Sequence, residues 1–404
     1  MERPSRALTL VLFAAGFLSM ARGFASGHYG AGYEILNVAR TLAETGTFGN
    51  PYGSLPTGPT AHCAPLYPMF LALLIKLLGY SVLFVLAANT CALIMYGLHA
   101  ALLPRVSVLF FGTTTPGIWA AGMQIVLPVF FFLPQFNTIY DAVGVMLFCL
   151  ASAAFGRAPG RWRALGLGIF LGMLALLNPS DVTVCGLWLL YLAWRQPAAQ
   201  IWRWTGWAAA SALLVVTPWT VRNYLQFHQF VPIRDNLGVE LYNDNNDLAE
   251  ANYAENFASF MKYHPAASID EAREIIRMGE AAYSESRRAR AVAWIRSHPR
   301  RFFQLACDRA RMYWFSDEHD YWIHAWSLRF VTLLSFAGLA LVAFRREAIG
   351  VYIGTVWMIY PLIYYCVNHD HRYREPAIWL TLLPAGYVVW AASAKLRKLW
   401  QFRM

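Results

Sequence analysis

The feature that most limits what this chain can become is a recurrence of apolar runs close to the ~20 residues a helix needs to cross about 30 Å of hydrocarbon. About ten such runs stand out by length and lack of charge: Ala7–Phe24, Pro65–Leu103, Val106–Leu133, Asp141–Phe155, Ala164–Leu177, Asp181–Trp194, Thr205–Pro218, Trp326–Phe344, Gly350–Val367 and Ala377–Ala394. Pro65–Leu103 is too long for one crossing, and Gly79 is expected to part a helix lying at the interface from the crossing proper. The fold class expected is therefore all-α, a polytopic membrane protein of about ten transmembrane helices. Composition agrees: 58% of the residues are hydrophobic and 14% charged, against roughly a quarter charged in soluble chains.

The net charge of +10, from 33 basic and 23 acidic residues, would in a soluble protein raise the question of nucleic acid. Its distribution answers otherwise. Pro218–Ala325 holds 13 basic and 15 acidic residues, leaving 20 against 8 for the short gaps between apolar runs. If the end carrying Arg3 and Arg6 is cytosolic and the spans alternate, 14 of those 20 basic residues fall inside, among them Arg105, Arg157, Arg161, Arg163, Arg195, Arg345 and Arg346 with the tail to Arg403. This is the positive-inside pattern, and it puts both termini in the cytosol. Alternatively, Arg3 and Arg6 ahead of a short apolar stretch, with Ala25 after it, would read as a cleaved signal peptide. The six cysteines are scattered, without ligand or redox spacing.

Three units follow: an N-terminal membrane region 1–218 with a first external loop at 23–64, a helical external segment 219–325, and a C-terminal membrane region 326–404. In the segment, Ser268 with Glu271 makes a capping box before a run from Asp270 to Arg296, and Pro299 suits the start of a second helix to Trp314.

The span middles are almost free of ionisable groups, which disfavours a proton-coupled carrier. Such groups gather instead on one membrane face: Glu34, His62, Asp141, Arg222, Arg372 and Arg374. Each has a bland explanation. Glu34 would sit in the first turn of a short amphipathic helix and Asp141 at the head of a span, where the helix dipole favours a carboxylate. The arginines are more informative as a set, because guanidinium forks bind phosphate bidentately and several occur on the side poor in basic residues.

In order, Gly32-Tyr33-Glu34, Thr57-Gly58-Pro59-Thr60-Ala61-His62, Ala64-Pro65-Leu66-Tyr67-Pro68, Tyr140-Asp141-Ala142, Pro218-Trp219-Thr220-Val221-Arg222-Asn223, Phe230-Val231-Pro232-Ile233-Arg234, Asn243-Asp244-Asn245-Asn246 and His371-Arg372-Tyr373-Arg374 resemble GT-C glycosyltransferases. The likeness is to the bacterial relatives of protein O-mannosyltransferases and aminoarabinose transferases. Better-studied members often carry Asp-Glu where this chain has Tyr33-Glu34, and the Lys-Pro-Pro of the aminoarabinose enzymes is missing.

The resemblance implies Glu34 as general base with Asp141 as a second catalytic acid, and His62, Tyr67, Arg222, Asn223, Arg372 and Arg374 as substrate-binding residues. It implies a polyprenyl-phosphate-linked sugar as donor and a lipid, glycan or protein hydroxyl as acceptor, at the periplasmic face of a bacterial inner membrane. Transfer would invert the anomeric centre. Membrane lipids are expected as partners and nucleic acid is not. No cofactor or protein-bound metal is expected, with a divalent cation left open. Two rival readings remain at this stage: a non-enzymatic carrier or flippase of lipid-linked sugars, and a structural subunit of an envelope-assembly complex.

Overall fold

A computed structural model describes residues 4–24, 33–130, 136–195, 198–316 and 322–401. Arg3, Ala25, Gly32, Leu133 and Arg403, which enter the readings above, lie outside the described residues. In chain order the helices are α1 (Arg6–Phe24), α2 (Tyr33–Thr45), α3 (Leu66–Leu78), α4 (Val82–Phe111), α5 (Thr115–Val126), α6 (Thr138–Arg157), α7 (Arg161–Leu177), α8 (Asp181–Arg195) and α9 (Ala198–Phe227). The polar segment that follows adds α10 (Leu237–Asn243), α11 (Phe257–Tyr263), α12 (Ile269–Met278), α13 (Glu280–Ser297) and α14 (Pro299–Trp314). The chain then returns through α15 (Trp322–Phe344), α16 (Ile349–Ile359), α17 (Leu362–Tyr365), a 3-10 helix (His371–Ala377) and α18 (Trp379–Gln401). No strand occurs among the described residues; two isolated bridges, Gly49 with Pro59 and Asn252 with His369, are the only extended pairing there.

Every expected apolar run contains helix, and the break at Gly79 falls where expected. Of the about ten crossings expected, length and apolar composition support three among the described residues, α4, α6 and α15. The 3-10 helix with Trp379–Lys395 of α18, bent by 67°, adds a fourth if the pair is one broken span. Shorter apolar helices cover Arg6–Ala21, Leu66–Leu78 and Ile349–Tyr365. The run expected over 106–133 is not one helix: its first residues complete α4, the chain turns at Gly112, and α5 ends at Val126. Conversely α9 does not stop at Pro218 but continues to Phe227, across the expected boundary.

The helical part is held by close pairs, α7 with α9, α15 with α18, α1 with α4 and α5 with α18. At Gly168 a Cβ would meet the Ala208 carbonyl oxygen at 2.0 Å, so that glycine is what lets α7 and α9 approach. Around Tyr96, Phe148, Trp188, Tyr352 and Trp379 the core is aromatic and fully buried.

In the polar segment the Ser268 hydroxyl caps α12 by accepting from the Glu271 amide at 3.4 Å. The single helix expected from Asp270 to Arg296 is two, because Gly279, at φ +84°, adopts a backbone that L side chains avoid and turns the chain between α12 and α13. Tyr283 and Arg287 of α13 both bond the Glu271 carboxylate and pin the two helices together.

Candidate active site

Helix α2 is amphipathic, burying Val38 and Ala39 and leaving Glu34 in its first turn. The loop after it folds back on itself. Asn37 Nδ2 holds the Pro51 carbonyl at 2.9 Å, the Asn50 amide donates to the Gly58 carbonyl at 2.8 Å, and the Thr60 amide donates to that of Phe48 at 3.0 Å. His62 therefore returns against Glu34, with Nε2 3.5 Å from Oε2. The segment 219–325 completes the group: α10 brings Glu240, with Oε1 3.9 Å from His62 Nε2, and the turn after α11 brings His264, with Nε2 3.7 Å from Glu34 Oε1 and 3.9 Å from Glu240 Oε1.

Both imidazoles are 3% exposed, and each is fixed through its second nitrogen: His62 Nδ1 meets the Tyr52 hydroxyl at 3.0 Å, and His264 Nδ1 accepts the Ala266 amide at 3.2 Å. Burial would raise the Glu34 carboxyl, but His62, ahead of His264 and Arg372, pulls it down to about 2. Burial would lower His62, and Glu34 with Glu240 and Glu280 instead lifts it to about 9. The pair is ionised across the physiological range.

This cluster opens into a cavity of about 690 Å³ that also contains Tyr67, Asp141, Arg234 and Arg372. Asp141, fully buried, receives Asn137 Nδ2 at 2.9 Å on both oxygens and Asn178 Nδ2 at 2.8 Å, tying the head of α6 to the end of α7. Tyr67 packs on Tyr140 with ring centroids 5.2 Å apart. Arg372 lies 3.9 Å over the Phe136 ring with Nε 3.2 Å from Asp370. Arg234 is exposed at the cavity and makes no hydrogen bond or ion pair among the described residues. The cavity sits at the start of α6, the end of α7 and the start of α8, whereas Arg157, Arg161 and Arg195 mark the opposite ends of those helices. Across the 20 residues of α6 that is about 30 Å.

The cavity thus gathers Glu34, His62, Tyr67, Asp141 and Arg372, and leaves out Arg222, Asn223 and Arg374. Arg222 donates to the Thr60 carbonyl at 2.7 Å and the Phe48 carbonyl at 2.9 Å, stacked against Trp219. Asn223, fully buried, spends Nδ2 on the carbonyls of Val231 at 3.0 Å and Ile233 at 3.2 Å. Arg374, also buried, donates to Thr332 Oγ1 at 2.7 Å and Thr381 Oγ1 at 3.2 Å. None of the three lines the cavity. Glu240, His264, Asn137 and Asn178 escaped the sequence reading; Arg234 stood at the end of a quoted motif.

Glu34, Glu240 and His264 offer three ligand atoms within 4.8 Å of one another, a donor set suited by type to a divalent ion. The hydrogen bond from the Ala266 amide, however, occupies the lone pair of His264 Nδ1 and leaves the neutral ring its proton on Nε2, the atom a metal would need. As arranged, the set does not fit a metal through His264.

No family model and no curated protein matches the sequence. Similarity lies in the fold. The chain superposes on archaeal oligosaccharyltransferase AglB from Archaeoglobus fulgidus, solved with an inhibitory peptide and a dolichol-phosphate, with a TM-score of 0.58 and 12% identity over 98% of this chain and 52% of that one. The chain has a GT-C fold. A second structure, the A. fulgidus oligosaccharyltransferase complexed with Zn and sulfate, gives a TM-score of 0.50 at 12% identity, over 91% of this chain and 46% of the other. The GT-C chain described here spans about half the length of the solved proteins it matches. These neighbours carry the GT-C class, and not the narrower mannosyl- and aminoarabinose-transferase likeness.

Proposed function

We propose that this chain is a membrane glycosyltransferase that moves a sugar from a polyprenyl-phosphate donor to an acceptor hydroxyl at the external face of the membrane. The observation that carries this reading is the single cavity at the heads of α6 and α8 that joins an ionised carboxylate, Glu34, to two guanidinium groups, Arg234 and Arg372. A sugar linked to phosphate already has a good leaving group. What the protein must add is a proton acceptor for the incoming hydroxyl and positive charge for the departing phosphate.

In this scheme the acceptor oxygen gives its proton to Glu34 and bonds the anomeric carbon. The carbon–oxygen bond to phosphate breaks, its electron pair leaving on the phosphate beside Arg234 and Arg372. One displacement with one base inverts the anomeric centre. Because His62 holds Glu34 ionised, the carboxylate is in its proton-accepting form at physiological pH. Asp141, locked between Asn137 and Asn178, shapes the wall where the sugar lies. Support from the fold comparison is general: the AglB structure holds a dolichol-phosphate. The acceptor class is left to experiment.

The test is to extract lipids from purified protein, identify a co-purified polyprenyl-phosphate sugar by mass spectrometry, and supply that lipid to reconstituted vesicles together with a total membrane and envelope extract as the source of acceptor hydroxyls. Release of polyprenyl phosphate by wild type but not by Glu34→Gln supports the reading. Movement of the lipid across the bilayer with its sugar intact, equal in both proteins, would replace it with a carrier.

A further inference from the structure

Glu280 takes no part in the cavity, yet it is a carboxylate only 5% exposed, on the first residue of α13. Its Oε2 accepts the Thr60 hydroxyl at 2.5 Å and its Oε1 accepts the Ala61 amide at 2.6 Å. The same Thr60 hydroxyl accepts the His62 amide at 2.9 Å. We infer that Glu280 is a positioning residue for His62, reaching it through Thr60 and the backbone of Ala61.

The accounting of residues 60–61 is complete, which is why the contact is more than a helix-start carboxylate. The Thr60 amide goes to the Phe48 carbonyl, the Thr60 carbonyl receives Arg222 Nη1 at 2.7 Å, and the Ala61 carbonyl receives the Asp235 amide at 2.8 Å. With Glu280 on the Ala61 amide, all four backbone polar groups are used. A favourable interaction with the dipole of α13 would need the Glu280 charge near that helix end but would not need it to reach the first loop. Here it does reach, and the Thr60 hydroxyl, donating to Glu280, can only accept from His62, so the relay has a direction. Glu280 and Arg222, of opposite charge, grip residues 60–61 from two sides, and the ring of His62 is delivered beyond them to Glu34 and Glu240.

This inference rests on the proposed role of the Glu34–His62 pair, so its test has one arm that needs no transferase activity. Glu280→Gln keeps size but replaces two charge-assisted bonds by neutral ones, and its amide can meet Thr60 only if that hydroxyl reverses to accept, which weakens the grip. Carbethoxylation of His62 by diethyl pyrocarbonate, read by mass spectrometry in detergent-purified full-length protein, is expected to be at least about fivefold faster in Glu280→Gln than in wild type. Thr60→Val is expected to match it, and Thr60→Ser to restore the wild-type rate. Unchanged labelling in Glu280→Gln and Thr60→Val overturns the inference, whatever the protein's activity. If Glu280→Gln does not fold, the Thr60 pair decides alone.

In the activity arm, Glu280→Gln should lower kcat about tenfold with donor KM unchanged, and should lower it no further when His62 is already alanine. An equal fall in both backgrounds would mean that Glu280 acts on something other than His62.

Discussion

Nε2 of His62 and Oε2 of Glu34 face each other at 3.5 Å, one from the end of the first loop and the other from the helix that begins it. The spacing is that of an ion pair whose members are held from behind rather than by a bond between them. Tyr52 steadies the imidazole at 3.0 Å, and α2 fixes the carboxylate.

The linkage of this pair to stability has a definite sign. His62, raised from 6.5 to about 9, contributes stability that is whole below pH 6.5 and lost as pH rises through 9. Glu34, lowered from 4.5 to about 2, contributes stability that is whole above pH 4.5 and lost as pH falls through 2. The melting-temperature difference between wild type and His62→Gln should thus be greatest between pH 4.5 and 6.5 and vanish above about pH 9. A difference independent of pH would show that His62 is not charged.

Glu34→Gln should remain folded and bind donor while turning over at least about a hundredfold more slowly. Loss of a helix-start carboxylate alone costs only about 1 kcal/mol of stability and no catalysis. Single-turnover assays separate the two, and near wild-type transfer would move the search for the base to Glu240.

Arg234→Ala and Arg372→Lys should each weaken donor binding by about ten- to a hundredfold, the loss expected for a hydrogen bond to a charged group. Arg374→Lys instead loses contacts to Thr332 and Thr381, so it should lower the melting temperature and leave donor KM alone. If Arg374→Lys shifted KM as much as Arg372→Lys, the division between cavity and wall would be wrong.

Sidedness is tested by cysteine labelling of intact cells. Glu285→Cys should react with an impermeant maleimide from outside and Arg161→Cys only after lysis. The reverse pattern would invert the topology.

Much of this site was legible in the residues because Glu34, His62, Asp141 and Arg372 all lie beside apolar runs, and the runs alone assign them to one membrane face. Face is not orientation, however. Arg222 and Arg374 share that face with Arg372, but whether a guanidinium looks into a cavity or at backbone carbonyls depends on how its helix is rotated and on which loop comes to rest beside it. Glu240 and His264 were hidden for another reason. They sit in short helices and turns of a polar loop without periodicity, and only tertiary docking of that loop onto the first one makes neighbours of them. Turns such as Gly112 interrupt an apolar run at no cost in hydropathy, which is why the stretch over 106–133 reads as one span and folds as parts of α4 and α5.

The cavity is assembled from opposite ends of the chain: Glu34 and His62 are made early, Arg234 and Glu240 midway, and Arg372 only just before the last helix. During synthesis the chain therefore carries Glu34, His62 and Arg234 well before Arg372 exists, so the cavity has only one of its two guanidinium groups until the segment ahead of α18 has been made.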